Sequence, residues 1–200
     1  MSVQTDTAVE GIDRRAFVAD LVAGSPEAIF VSGLGSPSYD LFAAGDRDLN
    51  FYLWGAMGAS VPVGLGLAIA QPERAVVVVT GDGEQLMGIG ALGTVGARQP
   101  ANLTVVVLDN GHYGETGMQR SHSSLGTDLV AVARGFGIAD STRVAEQQDV
   151  AAVLARIQAR SGPAFVQVPI PAFDHPRALP PRDGVFVKNR FRAALGLSTF

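Results

Sequence analysis

The 200-residue sequence contains no cysteine, which excludes disulfides, thiolate chemistry and cysteine-held iron–sulfur clusters. Basic runs are also missing, and with a net charge of −4 nucleic acid is not expected as a partner. The opening residues, MSVQTDTAVEG, lack the basic-then-apolar pattern of a signal segment. The longest apolar run, over residues 61–70, is too short and too rich in glycine to span a bilayer. No membrane contact is therefore expected, and a cytoplasmic location is the default. There is no internal repeat and no interdomain linker. The apolar content of 47% against 17% charged residues describes a globular chain with a generous core, long enough for one large domain or two small ones.

The most informative stretch lies in the middle of the chain. Residues 75–80 form a short apolar run rich in valine, which predicts a buried strand. Gly81-Asp82-Gly83 then turns the chain, and residues 84–98 have the character of a helix. A second valine-rich strand over 103–108 ends on Asp109-Asn110-Gly111. Strand, helix and strand make one βαβ unit, and both polar clusters fall at carboxyl ends of strands, where open parallel sheets place ligands. A right-handed crossover sets those ends side by side. Asp82 and Asn110 can then offer two oxygens to one hard cation, a ligand set that suits Mg²⁺ when phosphate oxygens complete its shell. Gly81 and Gly83 allow the backbone to approach phosphates, and the helix beginning near Glu84 aims its first N–H groups at them.

The remaining elements follow in order. Residues 1–10 are polar and expected to be loose. Asp13 can cap a helix with Phe17, Val18, Leu21 and Val22 on one face. A short strand over 28–32 runs into Gly33-Leu34-Gly35-Ser36-Pro37-Ser38 and a helix over 39–44. That glycine-rich turn is either a plain turn or a second wall of a phosphate site, with Gly35, Ser36 or Ser38 as donors. Residues 50–54 are extended, and 59–70 form a helix crowded with small residues, as close packing against a sheet or a cofactor requires. Gly64-Leu65-Gly66 falls inside this helix, not between strand and helix, so it is no dinucleotide fingerprint. His112, Tyr113 and Glu115 lie just past Asn110 in a polar, glycine-punctuated loop of the kind that carries function. His122 follows with no assigned role. A helix over 128–135, a strand over 138–144, a helix over 149–160 and a strand over 164–168 complete the alternation. A proline-rich tail then ends in a short helix over 187–195 that wraps the domain or a partner. The alternation predicts an α/β fold, a mainly parallel sheet with helices on both faces. The expected division is an N-terminal segment and helix over 1–27, the α/β domain over 28–169 and the tail over 170–200.

At Gly81-Asp82-Gly83 and Asp109-Asn110 the sequence resembles the thiamine diphosphate enzymes, whose signature is Gly-Asp-Gly followed by Asn-Asn after a helix and a strand. Asp82 and Asn110 lie 28 positions apart (110 − 82), within that family's range, and Asp109 replaces its first Asn. The resemblance implies thiamine diphosphate and Mg²⁺ as cofactors, with Asp82, Asn110 and the backbone carbonyl of His112 as metal ligands. It also gives Met57, in Gly55-Ala56-Met57-Gly58, a role beyond core filling. A large apolar residue at this place wedges between the two cofactor rings, and the carbonyl of Gly55 accepts a hydrogen bond from the aminopyrimidine. From Phe51 through Gly66, Asp82 through Gly117 and the tail around Arg190-Phe191, the chain looks like the decarboxylases of phosphonopyruvate and sulfopyruvate.

In that family a second domain binds the aminopyrimidine and supplies an activating glutamate. Two hundred residues are too few for both domains. The resemblance therefore implies the β-type subunit of a 2-oxo acid decarboxylase. Its partner would be a pyrimidine-binding α-type subunit carrying that glutamate, in a hetero-oligomer with at least two copies of each chain. A subunit of an acetolactate synthase-like carboligating enzyme is the first alternative, and a cofactor-free regulatory subunit the second.

Overall fold

The computed structural model describes residues 11–199, and the loose segment expected over residues 1–10 lies outside them. Helix α1 (Arg14–Gly24) comes first, with the Asp13 carboxylate accepting the N–H groups of Arg15 and Ala16 as its cap. Then follow β1 (Ile29–Ser32), α2 (Ser36–Ala43), β2 (Asn50–Tyr52), α3 (Ser60–Ala70) and β3 (Val76–Gly81). Two short helices, α4 (Asp82–Met87) and α5 (Ala91–Arg98), lead to β4 (Leu103–Asp109) and a small antiparallel hairpin of β5 (His112–Tyr113) and β6 (Gln119–Arg120). The chain closes with α6 (Leu129–Gly135), β7 (Asp140–Arg143), α7 (Val150–Ala159), β8 (Ala164–Pro169) and α8 (Gly184–Ala194).

Six strands form one sheet in the order β2-β1-β3-β4-β8-β7, and every neighbouring pair is parallel. Successive strand residues point to opposite faces. Val77, Val79, Val106 and Val166 meet α1, α2 and α7 through Phe17, Leu21, Leu41, Val153 and Ile157. Val76, Val78, Val105 and Phe165 meet the other layer through Val61, Leu65, Leu92, Leu129 and Phe191. Each such side chain contributes about 1.5–3 kcal/mol when fully buried, so the two faces carry the stability. The expected α/β fold, with a mainly parallel sheet covered on both sides, is the observed one. The small residues of α3 are explained at Gly64, where a Cβ would stand 2.2 Å from Val78 Cγ2. No helix among the described residues is long and apolar enough to cross a membrane.

Some element boundaries differ from the sequence expectation. The single helix expected over 84–98 is two, interrupted around Gly88 and Gly90. A Cβ on Gly88 would come within 2.2 Å of the Gly58 carbonyl oxygen, so the chain breaks where two backbones touch. Helix α2 begins at Ser36 instead of residue 39, because Pro37 is tolerated in a first turn. Helix α8 begins at Gly184, capped by Asp183, whose carboxylate accepts from the N–H groups of Val185 and Phe186. The β5–β6 hairpin was not expected, since strands of two residues show no periodicity.

The tail wraps the domain. Beyond β8 it crosses the carboxyl edge of the sheet, where Arg15 donates to the Pro176 carbonyl (2.8 Å). The indole of Trp54 donates to the Pro181 carbonyl (2.8 Å) while the Arg182 guanidinium lies over its ring. The Phe191 ring of α8 then packs edge-on against Phe51 of β2, 5.3 Å between centroids, and Arg190 pairs with Asp46 at 2.6 Å.

Candidate functional site

Strand β1 lies between β2 and β3, so the chain winds one way from β1 and the other way afterwards. Ligands of doubly wound sheets bind at such a reversal, outside the carboxyl ends of the strands. Here a cleft opens at that point. Leu34 and Ser36 from the turn after β1, Met57 before α3, Gly81 to Glu84 after β3, and Asn110 and His112 after β4 all line it. The tail adds Phe173 and Arg177 at the mouth.

Asp82 begins α4 directly at the end of β3 and is only 2% exposed. Burial raises its carboxyl above the ordinary aspartate range; hydrogen bonds from Ser121 and Ser123 work against this and the nearby charge of Asp109 adds to it. Ser121 Oγ donates to Asp82 Oδ2, and Ser123 Oγ stands 3.2 Å from the same oxygen. Register pairs Gly81 with Leu108, which sets Asp82 beside the Asp109-Asn110 end of β4. Gly111, at φ +71°, turns the chain there. Asn110 Oδ1 accepts the His112 N–H (2.9 Å), and the His112 ring nitrogen Nδ1 meets the Asn110 carbonyl at 2.8 Å, so the amide is held in place by its own loop. A Cβ at Gly81 would meet nothing closer than the Leu108 carbonyl oxygen at 4.0 Å, which leaves open space beside this glycine in the cleft.

Glu84 is 3% exposed. Its Oε1 accepts the Ser60 N–H at the start of α3 (3.4 Å), where no side chain of that helix serves as a cap, and its Oε2 has no partner. The carboxylate rests on Gly33, where a Cβ would come within 1.5 Å of Oε2. The Tyr113 ring packs on Gly83, and Glu115 stands over Gly35. Glu115 pairs with Arg177 of the tail at 3.4 Å. Burial, followed by the charge of Glu115, raises the Tyr39 phenol above its ordinary range and keeps it a donor.

The fold thus gathers Ser36, Met57, Gly81, Asp82, Gly83, Glu84, Asn110, His112, Tyr113 and Glu115 around one cleft. One residue expected at the site, Ser38, faces elsewhere, and two more, Gly35 and Gly55, do not line the cleft themselves. Ser38 is buried and turned inward, its hydroxyl donating to the Gly33 carbonyl (2.6 Å) and meeting Ser32 Oγ at 2.7 Å, so it holds the turn and is not a phosphate donor. Gly35 sits behind Ser36 with φ +78°, and Gly55, at φ +74°, lies outside the lining. His122 opens a short 3₁₀ turn and is exposed, away from the cleft. Sequence reasoning missed Ser121, Ser123 and Arg177. Ser121 and Ser123 reach Asp82, and Arg177 reaches the cleft, from far along the chain, and no local pattern marks them.

The sequence matches the family described as thiamine pyrophosphate enzyme, C-terminal TPP binding domain, over residues 38–168. The chain belongs to the thiamine pyrophosphate enzymes. It is 44% identical to the phosphonopyruvate decarboxylase of Streptomyces hygroscopicus over 145 residues, covering 72% of this chain and 36% of that protein. It is 38% identical to the sulfopyruvate decarboxylase subunit beta of Methanothermobacter thermautotrophicus over 162 residues, covering 81% of this chain and 80% of that subunit. The thiamine diphosphate-dependent 4-hydroxybenzoylformate decarboxylase of Rhodococcus jostii RHA1 superposes with a TM-score of 0.67 at 26% identity, over 87% of this chain and 35% of that one. The chain therefore spans little more than a third of two of these proteins and four fifths of the subunit.

The donor chemistry of the cleft fits the cofactor of a thiamine pyrophosphate enzyme. Among the described residues, no three His, Cys, Asp or Glu side chains converge on one point. The cleft offers the buried Asp82 carboxylate and, close by, the Asn110 amide oxygen, while the second buried carboxylate, Glu84, is turned to Gly33 and Ser60. Asp82 and Asn110 leave several octahedral positions for diphosphate oxygens and water, as Mg²⁺ prefers. The open space beside Gly81 is where a ligand could lie against backbone.

Proposed function

We propose that this chain is the β-type subunit of a two-subunit thiamine diphosphate- and Mg²⁺-dependent 2-oxo acid decarboxylase of the sulfopyruvate or phosphonopyruvate type. The observation that carries this reading is the buried Asp82 beside Asn110 at the reversal of the sheet, in a chain similar to a decarboxylase β subunit over 80% of that subunit's length. Asp82, Asn110 and the His112 carbonyl would hold Mg²⁺. Ser36 and the backbone at Gly35, Gly81 and Gly83 would receive the diphosphate. Bound thiamine diphosphate supplies the electron sink for the loss of CO₂ from a 2-oxo acid. Met57 stands in the wall of the cleft and would set the angle between the cofactor rings, with the Gly55 carbonyl accepting from its amino group. His112, Tyr113 and Glu115, which line the cleft at the start of the loop after β4, would exchange protons with a small 2-oxo acid and limit the entry of water.

The activating glutamate would come from an α-type, pyrimidine-binding partner, in an assembly with at least two copies of each chain. The purified chain alone should therefore release no CO₂ from sulfopyruvate, phosphonopyruvate or pyruvate, and mixing it with its α-type partner should restore turnover. Robust turnover by the lone chain would overturn the two-subunit reading.

A further inference from the structure

We infer that Asp109, acting through Ser123 and Ser121, is a positioning residue that orients Asp82 and strengthens its hold on a divalent cation. The inference rests on the reading of Asp82 as a cation ligand. Asp109 Oδ1 accepts from Ser123 Oγ (2.7 Å) and from the Gly111 N–H (3.0 Å), and its Oδ2 accepts from Gln167 Nε2 (2.6 Å). Ser123 Oγ is also 2.8 Å from Ser121 Oγ and 3.2 Å from Asp82 Oδ2, and Ser121 Oγ donates to Asp82 Oδ2. Ser121 has no exposed surface, and its N–H is tied to the Gly111 carbonyl (2.8 Å). Ser121 is therefore enclosed against Asp82, and Ser123 is half-buried between the two carboxylates.

Counting protons shows what this cluster lacks. Four close oxygen–oxygen contacts join the two carboxylates and the two serines. Each hydroxyl has a single proton to donate. The Ser123 proton is shared between Asp109 (2.7 Å) and Asp82 (3.2 Å), so it links the two carboxylates, and that of Ser121 goes to Asp82. The contact between the two hydroxyls is then left without a proton, beside two carboxylates of which Asp82 is buried and Asp109 half-buried. A divalent cation on Asp82 offsets their charge, and both serine contacts fall on Oδ2, which leaves Oδ1 to meet it. The aspartate at 109, where the family signature has asparagine, adds the second charge. Gln167, 4% exposed on β8, fixes it from the far side. Groups that orient a metal ligand typically matter on the order of 10–100-fold in metal affinity.

The test is a titration of the full chain with Mn²⁺ in the presence of thiamine diphosphate, read by electron paramagnetic resonance, beside a thermal melt without metal. D109N and S123A should each weaken Mn²⁺ binding on the order of 10-fold. S123T should restore it. In the melt without metal, D109N should be no less stable than wild type, because it removes one of two crowded charges. Unchanged Mn²⁺ affinity in D109N and S123A would overturn the inference. So would a loss of affinity that merely follows a lowered metal-free melting temperature. A wild-type chain that takes up no Mn²⁺ would instead overturn the cation-site reading, and this inference with it.

Discussion

The two edges of the parallel sheet are built for different purposes. At the amino edge, residues 24–28 and 73–75 with Ile157, Gln158 and Arg160 surround an open groove of about 610 Å³. At the carboxyl edge the cleft holds only about 130 Å³. Volume alone would choose the end opposite to the proposed site. The charged groups of the wide groove, such as Glu27, Glu73 and Arg160, are exposed and already hydrated. The small cleft instead buries Asp82 and Glu84, and buried carboxylates are costly unless something pairs with them. Unmet electrostatic need, more than empty space, marks the site.

This contrast is open to mutation. The largest effect is expected for Asp82→Ala and Asn110→Ala. Each would remove a proposed cation ligand and should weaken Mg²⁺-dependent thiamine diphosphate binding on the order of 100-fold or more, with circular dichroism unchanged. Arg160→Ala at the amino edge should leave binding as it is. Equal losses at both edges would erase the distinction.

Met57→Ala comes next and separates the geometry of the cofactor from its retention. In a complex with the proposed partner, kcat and deuterium exchange at the cofactor C2 should fall on the order of 100-fold, as a misplacement of about 1 Å can do. Cofactor affinity should change far less. A role in packing alone predicts the reverse, with a loss of roughly 2–5 kcal/mol in stability and normal exchange in the folded molecules.

The smallest effect compares two glycines. At the carboxyl edge, Gly33→Ala would drive a methyl into the Glu84 carboxylate, which is pinned between Gly33 and Ser60. At the amino edge, Gly24→Ala meets the end of the Leu154 side chain at 2.6 Å, and a leucine can change rotamer. Overpacking of this kind costs about 1–3 kcal/mol, and Gly33 should lie at the top of that range. Chemical denaturation of both variants checks the order, and a larger loss at Gly24 would contradict it.

How much of this was legible in the sequence follows from chain distance. The Gly81-Asp82-Gly83 and Asp109-Asn110 clusters share one βαβ unit, so local pattern and the handedness of the crossover bring them together. The cap at Asp13 is equally local. Ser121 reaches Asp82 across 39 residues, and Gln167 reaches Asp109 across 58. Such contacts depend on how the hairpin folds back and on β8 lying beside β4, and neither leaves a period in the sequence. The break between α4 and α5 likewise depends on Gly58 meeting Gly88, a contact between two distant loops. Ser38 was misjudged because a serine after a glycine turn reads the same whether its hydroxyl faces a ligand or, as here, the Gly33 carbonyl.

The central claim is that the carboxyl-edge cleft binds thiamine diphosphate through a cation held by Asp82 and Asn110. Calorimetric titration of the purified chain with thiamine diphosphate, with Mg²⁺ and then with the cation removed by a chelator, tests it most directly. The account predicts binding that is weak in the absence of the partner, requires Mg²⁺ and disappears in Asp82→Ala. Binding of equal strength without Mg²⁺, or binding that survives Asp82→Ala unchanged, would contradict it.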